Sequence, residues 1–112
     1  MRIAIPVTEG KLSAHFGHCK QFFLADADPE CKMIMTTKTL KPPVHEPGVL
    51  PRWLHEQGAE IIIAGGMGQR AKQLFSELNI TVVTGALCED PDRIVQWFLS
   101  GDLRTGANVC DH

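Results

Sequence analysis

The stretch Glu60-Ile61-Ile62-Ile63-Ala64-Gly65-Gly66-Met67-Gly68 decides the fold class. An unbroken apolar run of this length is the pattern of a strand buried on both faces, as in a parallel sheet. Gly65-Gly66-Met67-Gly68 then turns the chain into a helix whose apolar face is Ala71, Leu74, Phe75 and Leu78, at helical spacing. Asn79 ends that helix, and Ile80-Thr81-Val82-Val83 reads as a second buried strand. Strand, helix and strand in this order form a crossover unit, and the chain is therefore read as α/β.

Working outward, Ile3, Ile5 and Val7 alternate with smaller or polar residues and suggest a first strand. A loop is expected from Thr8 to Cys19. Gln21-Phe22-Phe23-Leu24-Ala25 and Met33-Ile34-Met35-Thr36-Thr37 read as a hairpin, with Asp26-Ala27-Asp28-Pro29-Glu30 as its turn. Pro42, Pro43 and Pro47 make a stiff connector. A helix is expected over 49–57, with Pro51 in its first turn and Gly58 as its left-handed stop. Asp90-Pro91 starts a last helix, with Ile94, Trp97 and Phe98 on its buried face and Gly101 after its end. The expectation is a five-stranded mixed sheet of order 3-2-1-4-5 with three helices, which resembles the ribonuclease-H-like motif. Residues 1–100 are read as a single domain, and residues 101–112, which lack periodicity, as a C-terminal tail.

Composition excludes several function classes. The formal net charge of the 112 residues is -2, so no basic field is present to hold a nucleic-acid backbone. No run reaches the ~18 apolar residues of a membrane span. The apolar start, Met1 to Val7, is too short for a signal peptide and contains Pro6, so a cytoplasmic protein is expected. Cys19, Cys31, Cys88 and Cys110 contain no C-x-x-C pair, which argues against a zinc ribbon or a thioredoxin-type redox site.

In the expected topology the first, third, fourth and fifth strands are parallel, so four connections meet at one sheet edge, the usual ligand edge of open α/β sheets. The first holds His15, His18 and Cys19 around Gly17, two imidazoles and a thiol within five residues. Such donors suit soft metals and sulfide clusters. The same residues also read as a loop with surface histidines. The second connection holds His45. The third is Gly65-Gly66-Met67-Gly68, whose backbone N–H groups suit an anion, either a thiometallate or a phosphate, or simply a tight turn. The fourth is Gly85-Ala86-Leu87-Cys88. Cys110-Asp111-His112 could reach the edge from the tail, or be a frayed end. Cys31 is expected at the opposite edge. The first strand carries no carboxylates for paired metal ions, and no Gly-x-Ser-x-Gly elbow exists. A Cys19 nucleophile with His15 or His18 would lack an evident orienting acid.

Ala14-His15-Phe16-Gly17-His18-Cys19, His45-Glu46-Pro47-Gly48 and Ile63-Ala64-Gly65-Gly66-Met67-Gly68 together resemble the dinitrogenase iron–molybdenum cofactor biosynthesis family, the group that includes NifX, NafY and the C-terminal part of NifB. The chain looks closer to the short stand-alone members. The resemblance implies a ribonuclease-H-like fold and a non-enzymatic carrier or scaffold role for an iron–sulfur or molybdenum-containing cluster, including mixed molybdenum–copper sulfides, with a client or donor protein as partner. It implies cofactor contacts at His15 and Cys19, and the sheet-edge reading adds Phe16, Gly17, His18, His45, Gly65, Gly66, Met67 and Gly68 as candidate contacts. His15 and Cys19 are the implied metal ligands, with His18 a further candidate. The purified protein could lack its cluster. The competing reading is a metal-free regulatory module that binds a partner or an anionic small molecule at the glycine turn.

Overall fold

The structure is a computed structural model, and it describes residues 1–12, 20–42, 49–86, 90–101 and 103. In chain order the elements are β1 (Arg2–Thr8), β2 (Lys11–Leu12), β3 (Gln21–Asp28), β4 (Met33–Leu40), α1 (Val49–Glu56), β5 (Ile61–Ile63), α2 (Gln69–Glu77), β6 (Thr81–Val83) and α3 (Pro91–Ser100). The sheet runs β4-β3-β1-β5-β6, with β2 paired to β1. It has six strands where five were expected, and counting β2 changes the strand order from 3-2-1-4-5 to 4-3-1-5-6.

The extra strand comes from a tight hairpin inside the expected loop. Glu9 and Gly10 both have positive φ, 56° and 82°, so the two-residue turn matches the twist of the strands it joins. Val7 pairs with Leu12 and Thr8 with Lys11. A glutamate in the left-handed region is disfavoured, so the residue type gave no hairpin signal.

A second correction concerns Asp26, Ala27 and Asp28. They belong to β3 and not to a turn, with a bulge between Asp26 and Ala27. Asp26 is held in the strand by Arg2. Arg2 Nε donates to Oδ1 at 2.7 Å and Nη2 to Oδ2 at 3.0 Å. Arg2 Nη1 also donates to the Gln57 carbonyl.

The sheet is covered on both faces. Ala4, Phe22, Leu24 and Ile62 pack with Leu50 and Leu54 of α1, Met67, and Phe75 of α2. Ile3, Ile5, Val7, Ala25 and Ile63 pack with Ile94 and Val95 of α3. The alternation along β1 therefore separates two cores rather than core from solvent, which is why Ile3 to Val7 are all buried. The α1 helix holds Pro51 as its third residue, where the missing N–H is harmless. Gly101 closes α3 in the left-handed region, its N–H donating to the Phe98 carbonyl.

Candidate functional site

Strand directions define the site edge. β1 and β5 are parallel, as are β5 and β6, while β3 is antiparallel to both β1 and β4. The C-terminal ends of β1, β4, β5 and β6 therefore share one edge. The chain leaves β1 toward β3 on one side and leaves β5 toward β6 on the other. The carboxyl ends of β1 and β5 thus flank a topological switch point, the position where open α/β sheets bind ligands.

Pairing between β1 and β5 runs only through Ile3–Ile61 and Ala4–Ile62. Pro6 lies past that limit and has no N–H to continue the ladder. β2 takes up the side so released. Val7 already pairs with Gln21 of β3, so its pairing with Leu12 puts β2 on the β5 side of β1. Lys20 sits on the other side, its N–H donating to the Val7 carbonyl at 3.1 Å. Leu12 and Lys20, the two described residues that bracket 13–19, therefore flank the end of β1 from opposite sides.

The glycine turn after β5 is firmly stitched to the chain leaving β6. Ala64 N–H donates to the Val83 carbonyl at 2.8 Å, Gly85 N–H to the Gly65 carbonyl at 2.9 Å, and Ala86 N–H to the Ala64 carbonyl at 3.3 Å. Gly65 and Gly66 are buried and Gly68 is exposed. Gly68 is the N-cap of α2 and provides no side-chain cap, so the positive end of the helix dipole opens at this edge. Met67 is 0% exposed and belongs to the core beside Phe75, so its side chain serves packing in this structure.

Several exposed cations lie at or next to this edge: Lys11 in β2, Lys20 before β3, Lys41 after β4 and Arg70 in the first turn of α2. Among the described residues, Glu9, Asp90 and Asp92 are the acids near this edge by chain position. Asp26, Asp28, Glu30 and Glu60 lie toward the opposite end of the sheet.

Among the described residues, Thr8 Oγ1 is a buried side-chain oxygen without a hydrogen-bond partner. Leaving such a group unpaired costs about 1–3 kcal/mol. By strand alternation Thr8 shares the sheet face of Ala4 and Pro6, the face on which α2 packs. Sequence reading passed over Thr8, because lack of a partner is a property of the folded chain.

Of the residues expected at the site, Gly65, Gly66, Met67 and Gly68 lie together at this edge, with Met67 turned into the core. His15, Phe16, Gly17, His18, Cys19 and His45 lie outside the described residues, as do Cys88, Cys110 and His112. Cys31 is exposed in the β3–β4 turn at the far end, and the Asp28 carboxylate beside it raises its thiol pKa. Among the described residues, no group of three or more His, Cys, Asp or Glu comes together as a metal site. No helix among them is long and apolar enough to cross a membrane.

The family described as "Dinitrogenase iron-molybdenum cofactor" matches residues 1–101. The chain belongs to the dinitrogenase iron-molybdenum cofactor family. Membership supports a cofactor-related role for this protein. A family relative of similar length, uncharacterized protein MJ0580 of Methanocaldococcus jannaschii, is 30% identical over 106 residues, covering 92% of this chain and 89% of its own. The crystal structure of PH0822 is 30% identical with a TM-score of 0.86, covering 94% of each chain. The apo form of the orange protein from Desulfovibrio gigas shares the fold, with a TM-score of 0.73 at 23% identity over 96% of this chain and 93% of that one.

Proposed function

We propose that this member of the dinitrogenase iron-molybdenum cofactor family carries or scaffolds an anionic metal–sulfur cluster, iron–sulfur or molybdenum-containing, during cofactor assembly or trafficking, without catalysing a reaction. Mixed molybdenum–copper sulfides fall within this class. The observation that carries the reading is the switch point itself. A glycine turn and an open helix N-terminus lie at the carboxyl end of β5, while Leu12 and Lys20 bracket the end of the neighbouring β1. In this reading His15 and Cys19 ligate metal, His18 and His45 assist, and Phe16 and Gly17 shape the contact. Gly65, Gly66 and Gly68 offer backbone N–H groups to sulfides. A mixed, incomplete ligand set suits release to a client, whereas a closed four-thiolate cage retains its metal. We assign this role to one ribonuclease-H-like domain, residues 1–100, acting in the cytoplasm with a client or donor protein.

Anaerobic reconstitution with iron, sulfide and thiomolybdate tests the reading. Charge-transfer absorption is expected with the wild-type chain and its loss in the His15→Ala/Cys19→Ala double variant. Absorption that is unchanged in the double variant would remove these residues from the site. A wild-type chain that binds no metal under any of these conditions would leave the metal-free regulatory module as the better account.

A further inference from the structure

We propose that the Thr8 hydroxyl is a binding group of this site, donating a hydrogen bond to a sulfide or oxygen of the anion that sits before α2. The proposal rests on the cluster-carrier reading and adds to it a residue of known position. Three observations carry it. Thr8 is the last residue of β1, on the strand flanking the switch point. Alternation puts its side chain on the face where α2 packs, and α2 begins at the same edge with an N-cap that lacks a side-chain bond. The Thr8 oxygen is screened from water and, among the described residues, has no partner.

A hydroxyl in that state costs stability in the free protein and regains it when an acceptor arrives. A sulfide or oxygen of an anion is a strong acceptor in a dry setting, where charge-assisted bonds exceed neutral ones.

Thr8→Val keeps the shape and removes the hydroxyl, while Thr8→Ser keeps the hydroxyl. Anaerobic titration with tetrathiomolybdate and thermal unfolding of the unloaded chains test the idea together. The expected result is about tenfold weaker binding by Thr8→Val, near wild-type binding by Thr8→Ser, and a melting temperature for unloaded Thr8→Val equal to or above that of the wild type. Equal binding by Thr8→Val overturns the proposal and leaves the carrier reading intact. A clearly lowered melting temperature for Thr8→Val also overturns it, since the hydroxyl would then already have a partner in the free protein. Failure of the wild-type chain itself to bind tetrathiomolybdate, or iron with sulfide, defeats the carrier reading and this proposal with it.

Discussion

The Arg2 guanidinium grips the Asp26 carboxylate with two parallel hydrogen bonds, at 2.7 and 3.0 Å, across the β1–β3 pair at the end of the sheet away from the candidate site. The hydrogen bond from Arg2 is the main cause holding the Asp26 carboxyl below the usual carboxylate range, and a hydrogen bond from the Thr36 hydroxyl at 3.2 Å adds to it. The two side chains are 31% and 41% exposed, so solvent screens much of the attraction. Asp26→Asn is expected to cost about 0.5–1 kcal/mol at neutral pH. A depressed folded-state value means that the contribution is complete above the unfolded carboxylate pKa and disappears as pH falls through the folded value. Urea unfolding at pH 7 and again well below the carboxylate range should show the deficit of the variant shrinking at the lower pH.

Gly58 sits beside the same pair. Its φ is 84°, and a Cβ there would meet Arg2 Nη1 at 3.2 Å. Gly10 has a nearly identical φ of 82° with open space around it. Gly10→Ala isolates the backbone cost, about 1 kcal/mol. Gly58→Ala should cost more, because the displaced guanidinium is held by Asp26. In the double variant with Asp26→Asn the excess should shrink, giving a non-additive cycle by denaturant unfolding.

Met67 lies between two glycines of the candidate turn, yet its side chain fills the core with Phe75 and Leu54. Met67→Ala is expected to cost about 2–5 kcal/mol, while Met67→Leu should cost less than about 1.5 kcal/mol. A small loss for the alanine variant in guanidinium unfolding would contradict the core role.

Met33 and Met35 are 61% and 69% exposed on β4, while Met67 is fully buried. Mild peroxide followed by peptide mass mapping should give sulfoxide at Met33 and Met35 first. Met67 should remain unmodified until the chain is unfolded by denaturant.

Much of this arrangement was legible in the sequence because two-sided burial writes continuous apolar runs. Ile61-Ile62-Ile63 became β5, and the Ala71–Leu78 face became the buried side of α2. What escaped depended on contacts between distant residues. Asp26 looks like a turn residue until Arg2 arrives to hold it in a strand. The β2 hairpin is hidden because its turn asks a glutamate for a left-handed backbone. At the candidate site the glycine turn was visible as a strand-to-helix corner. The inward side chain of Met67 and the unpaired hydroxyl of Thr8 were not, since neither follows from residue type.

The short β2 strand also has a defensive consequence. Where β1 parts from β5, its backbone would present bare amides and carbonyls in mid-sheet, an invitation to strand invasion by a neighbouring molecule. Leu12 and Lys11 plug that seam from within the chain. Association by strand addition is thereby steered to the outer margins, and of those β6 offers three residues where β4 offers eight. Any sheet-to-sheet oligomer of this protein should therefore form along β4, leaving the carboxyl ends of β1 and β5 uncovered.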